Sequence, residues 1–111
     1  MLTEWGEKLT VASAWPEYPR PALARSSWNN LNGLWKYQIT PKSITAAPAD
    51  WAGDILVPFA IESALSGVKK RITPDDVLWY RRSFERPALR DGQRVLLNFE
   101  AVDYQSTVWV N

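Results

Sequence analysis

The 111-residue sequence contains neither cysteine nor histidine. Without cysteine there is no disulfide, no thiolate nucleophile and no sulfur ligand, and without histidine the commonest general base and the usual zinc ligand sets are missing too. Ser-His-Asp and Cys-His hydrolytic arrangements are thereby excluded. The compartment stays open, because cytosolic and exported chains can both lack cysteine. An excess of charge of one sign is absent as well. Thirteen basic and 12 acidic residues leave a net charge of +1, so neither nucleic acid nor an anionic membrane surface is an expected partner. Lys69-Lys70-Arg71 is the one dense basic run, and a solvated loop accounts for it. The N-terminal stretch "MLTEWGEKLTVASAW" has no basic segment followed by an apolar core. No run approaches the roughly 18 apolar residues of a membrane helix, so neither signal peptide nor membrane span is expected.

What is present is β-patterned. A chain of this length holds one domain and is expected to bury about two-thirds of its unfolded surface. Residues 1–27 read as an irregular segment wrapping the domain, since Pro16, Pro19 and Pro21 forbid a regular ladder. After the Asn32-Gly33 turn signal, "LWKYQIT" alternates, with Trp35, Tyr37 and Ile39 on one face and Lys36, Gln38 and Thr40 on the other. The spacing predicts further strands at "ILVPF", closed by Pro58, at "VLWYRRSF" from Val77 to Phe84, at "RVLLNF" with Val95, Leu97 and Phe99 on one face, and at "TVWVN". "AIESALSG" fits one helical turn ending at Gly67. Six or seven short segments, most bounded by turn chemistry, make the fold class all-β, an antiparallel β-sandwich or jelly roll. An apolar strand running to Asn111 leaves an edge that would recruit other chains, so the sequence reads as a piece of a longer polypeptide that self-associates when isolated.

Seven tryptophans are the most conspicuous content. Trp35, Trp79 and Trp109 lie inside strand patterns and are expected in the core, whereas Trp5, Trp15, Trp28 and Trp51 lie in loop-like stretches, free to stack on a sugar ring. Glycoside hydrolysis needs two facing carboxyl groups, and no pair here is placed for it; the adjacent Asp75 and Asp76 diverge in a loop. Arg81 and Arg82 stand side by side in a strand, so one guanidinium shares the buried face. Such a group needs a carboxylate or several carbonyls, with Glu62, Glu100 and Asp103 as candidate partners. Structural pairing is favoured over contact with a substrate carboxylate, because strand geometry alone forces one arginine onto each face.

Four blocks in order, "WPEYPRPALAR..WNNLNGLWKYQI", "ILVPFAIESALSGV", "LWYRRSFERP" and "RVLLNFEAVDYQSTVWVN", span about Trp15 to Asn111. In them the chain resembles the N-terminal sugar-binding domain of glycoside hydrolase family 2, the group of β-galactosidases, β-glucuronidases and β-mannosidases. The resemblance implies an incomplete jelly-roll β-sandwich of the galactose-binding-domain-like type over residues 28–111. In the complete enzyme it would precede an immunoglobulin-like sandwich and a TIM barrel, and the acid/base and nucleophile glutamates belong to that barrel. None of the motifs carrying those glutamates occurs here, so no catalytic, cofactor-binding or metal-ligating residue is carried over. The implied role is a non-catalytic accessory domain of an enzyme cleaving O-glycosyl bonds in the manner of a β-galactosidase, with carbohydrate and the rest of the parent chain as partners. A free-standing carbohydrate-binding module using the loop tryptophans is the alternative, and an interaction sandwich with no sugar role is a third.

Overall fold

The computed structural model describes residues 2–111. Three strands, β1 (Gly33–Pro41), β2 (Gly53–Val57) and β3 (Asp76–Arg81), form one antiparallel sheet in the order β2-β1-β3. The most sharply alternating segment is thus the central strand. In β1, Trp35 lies opposite Ile55 of β2, while Tyr37 lies opposite Tyr80 and Ile39 opposite Leu78 of β3. Directly opposed residues share a face. One face therefore collects the core of Tyr37, Ile55 and Ile61, with Trp35, Ile39, Val57, Val68 and Leu78 packed around it.

The loop after β2 closes this core from one side. A single 3-10 turn, Ala64–Ser66, is capped at its start by the Ser63 hydroxyl, which accepts from the Leu65 N–H at 3.1 Å. It ends on Gly67 at φ +82, a left-handed conformation that glycine adopts without steric cost. Ser66 is buried, and its hydroxyl lies 3.1 Å from the Ile61 carbonyl and 2.8 Å from the Ser63 carbonyl while accepting from the Val68 N–H. This satisfies the buried Ser66 hydroxyl and seats Ile61 against Ile55.

The opposite face is centred on Trp79, which is buried and donates its indole N–H to the Thr40 hydroxyl at 2.8 Å. Residues 2–27 contain only a one-turn helix, α1 (Glu4–Glu7), and a 3-10 turn at Pro21–Leu23, with Ala14 buried. Asn30 and Asn32 tie this segment to the sheet by donating their side-chain amides to the Trp15 carbonyl at 2.7 and 3.2 Å.

Three strand expectations are corrected. "RVLLNF" and "TVWVN" form no strand, and β3 stops at Arg81 instead of continuing to Phe84. Among the described residues from Phe84 to Asn111 the one main-chain hydrogen bond joins Gln93 to Arg90. Alternating side chains suit a ladder, but a ladder also needs main-chain pairing with a neighbour, and among the described residues these segments make none. Val95, Leu97 and Phe99 are accordingly exposed. So is Trp109, at 67%, which lies outside the core and stacks on Trp79 at 5.7 Å with an interplanar angle of 20°.

Candidate functional site

The arginine pair divides its roles by face. Arg82 continues the line of Leu78 and Tyr80 on the core side, half-buried, and donates through Nη1 to the carbonyls of Leu31 at 2.9 Å and Asn32 at 3.0 Å. Its guanidinium carbon lies 6.0 Å from the centre of the Trp35 ring, whose indole N–H shares the Leu31 carbonyl at 2.7 Å. Gly33 makes this approach possible. A Cβ there would stand 3.1 Å from Arg82 Nη1, and the φ of +122 is one that side chains rarely adopt. The acids expected as partners take no part: Glu100 pairs instead with Arg20 at 3.1 Å, and neither Glu62 nor Asp103 forms an ion pair among the described residues. Carbonyls suffice because the guanidinium stays half-buried and keeps some of its donors toward water.

Arg81 points to the other face. Together with Leu34, Lys36, Trp51, Asp54, Ser83 and part of Arg82 it lines an open groove of about 530 Å³. The register sets Lys36 between Asp54 on β2 and Arg81 on β3, and Lys36 Nζ pairs with Asp54 Oδ1 at 2.8 Å. Arg81 makes no ion pair among the described residues; its guanidinium carbon lies 5.8 Å from the centre of the Trp51 ring. Trp51 Nε1 is buried without a hydrogen-bond partner. This groove offers an aromatic plate, an available guanidinium and a pre-formed ion pair, which together can hold a polar, flat-faced ligand. Its single carboxylate is tied to Lys36, so it does not supply the two facing carboxyl groups that glycosidic cleavage requires.

A second groove, of about 380 Å³, is formed where α1 and the following loop meet the residues after β2, and Trp5, Trp15, Leu9, Glu17 and Phe59 are among its walls. Trp5 is 80% and Trp15 62% exposed. The four loop tryptophans are therefore divided: Trp5 and Trp15 share this groove, Trp51 belongs to the first, and Trp28 packs edge-on against Tyr18 at 4.8 Å. Asp76 opens β3 and accepts from the Thr73 N–H and hydroxyl, both at 2.8 Å, which hold its carboxyl below the ordinary value of 3.8. The Asp75 carbonyl accepts from the Lys42 N–H at 2.8 Å. Among the described residues no group of three potential metal ligands occurs, and no helix is long and apolar enough to cross a membrane.

Lys36 and Asp54 were not singled out by sequence reasoning. The alternation put Lys36 on the polar face, but its neighbours depend on a register linking positions 18 residues apart, which no local pattern encodes. The chain matches no protein-family model and no curated protein.

Proposed function

We propose that this chain is a non-catalytic accessory domain of the jelly-roll type from a family 2 glycoside hydrolase, placed beside the catalytic barrel of a longer polypeptide that cleaves O-glycosyl bonds. The observation that carries this reading is the Arg82 bridge. The guanidinium of the "LWYRRSFERP" block is spent on carbonyls of the "WNNLNG" block some 50 residues earlier, so the residues on which the resemblance rests serve as framework. A groove with one carboxylate, already paired to Lys36, agrees with that role. Purified chain incubated with chromogenic β-galactosides, β-glucuronides and β-mannosides is expected to give no turnover, and saturable hydrolysis would overturn the reading. A genomic reading frame that lacks barrel motifs downstream would do so as well.

The exposed Trp5 and Trp15, set in one groove, favour a second reading as a free-standing carbohydrate-binding module. Quenching of tryptophan emission by polysaccharides, abolished in a Trp5→Ala/Trp15→Ala variant, would support it. Silence across a glycan panel would remove it.

A further inference from the structure

The chain exposes more surface than its mass predicts. Its accessible area is 9524 Å², whereas a folded monomer of 12.7 kDa exposes about 6,200 Å². The excess of about 3,300 Å² exceeds the share of one partner, roughly 1,000–2,500 Å², in an obligate dimer interface. Part of it lies in the chain after Arg81. Val95, Leu96, Leu97, Phe99, Val108 and Val110 are all exposed, and the main chain that carries them has no hydrogen-bond partner of its own. An apolar segment whose N–H and C=O groups make no main-chain hydrogen bond among the described residues can supply half of a β-ladder.

The same chain carries the other half. In the order β2-β1-β3 the outer side of β3 pairs with nothing among the described residues. β3 is six residues long, the length of Arg94–Phe99, and its Val77-Leu78-Trp79 run is apolar like Val95-Leu96-Leu97.

From these two unmatched halves we infer that the chain forms a reciprocal two-fold dimer with a second copy, in which Arg94–Phe99 of each protomer adds as a fourth strand to the outer edge of the other's β3. A two-fold exchange satisfies both halves in both copies and closes, where a one-way addition would propagate into a filament. The net charge of +1 puts no large repulsion between copies. The inference is independent of any carbohydrate role.

Size-exclusion chromatography with light scattering, combined with amide hydrogen exchange over a concentration series, tests it. The expected result is a discrete species of twice the chain mass, with Arg94–Phe99 and β3 amides gaining protection together as it forms. Leu97→Pro removes a donor from the added strand while lying outside the three-stranded sheet. That variant is expected to be monomeric, with the far-ultraviolet spectrum of the wild-type chain diluted below its dimerisation range. A chain that stays monomeric up to millimolar concentration overturns the inference. So does a dimer whose Arg94–Phe99 amides exchange freely, a dimer that survives Leu97→Pro, or polydisperse aggregate without a discrete dimer.

Discussion

At the scale of single residues, the two adjacent arginines experience different surroundings and should respond differently to substitution. Removing Arg82 leaves the Leu31 and Asn32 carbonyls without a charged donor and takes a cation from the Trp35 face. Arg82→Ala is expected to lower unfolding stability by about 2 kcal/mol, measured by urea denaturation at fixed protein concentration. Arg81→Ala loses one exposed contact with Trp51 and is expected to cost under about 1 kcal/mol. Asp76 gives the pH dependence. Its carboxyl is held below 3.8 in the folded chain by the two Thr73 donors, so the stability it confers is complete above 3.8 and is lost as pH falls through the folded value. A carboxyl titration followed by NMR should place Asp76 below 3.8, and Thr73→Val, which deletes the hydroxyl donor, should move it back toward 3.8. Tyr80 behaves in the opposite sense. Burial, with the charge of Glu62 adding to it, raises its phenol above 10.0, so its contribution is complete below pH 10 and declines as the pH rises through the folded value.

At the scale of elements, the sheet depends on one large residue per face. Ile55 is fully buried between Trp35 of β1 and the Ile61 loop. Ile55→Ala should therefore cost about 3 kcal/mol, read from the shift of the denaturation midpoint. On the other face Thr40→Val keeps the shape of the side chain and strands the Trp79 indole N–H, a loss of about 1–2 kcal/mol. Gly33 joins element to site. With a φ of +122 and Arg82 Nη1 3.1 Å from any Cβ, Gly33→Ala is expected to destabilise the start of β1 and displace Arg82 together. A Gly33→Ala/Arg82→Ala double variant separates the two terms, and it should lose less than the sum of the single losses.

At the scale of the whole molecule, burial falls short of what the chain length allows. The expectation of about two-thirds is corrected to about half, taking an unfolded area of about 18,400 Å² against 9524 Å². The radius of gyration, 15.9 Å, likewise exceeds the roughly 13 Å of a closed domain of this length. The chain after Arg81, where apolar side chains line no shared core, and the exposed segment before β1 both contribute to these departures. If a second copy takes up the segment after Arg81, the midpoint of thermal unfolding should rise with protein concentration, because only the folded state binds the partner. A concentration-independent midpoint would count against association at any surface.

Local chemistry was enough to mark the three strands that form. The alternation around Tyr37, the stop at Pro58 and the left-handed cap at Gly67 each depend on the residue and its immediate neighbours. It was also enough to require that one arginine accompany the core. What it left open was pairing. That Arg82 finds carbonyls and not Glu100, that Lys36 meets Asp54, and that Val95, Leu97 and Trp109 lie outside the ladder are facts about which distant segments become neighbours. A strand pattern states only that a segment can join a sheet. Whether it does is decided by tertiary contacts, because half of every β hydrogen bond belongs to another part of the chain, or to another chain.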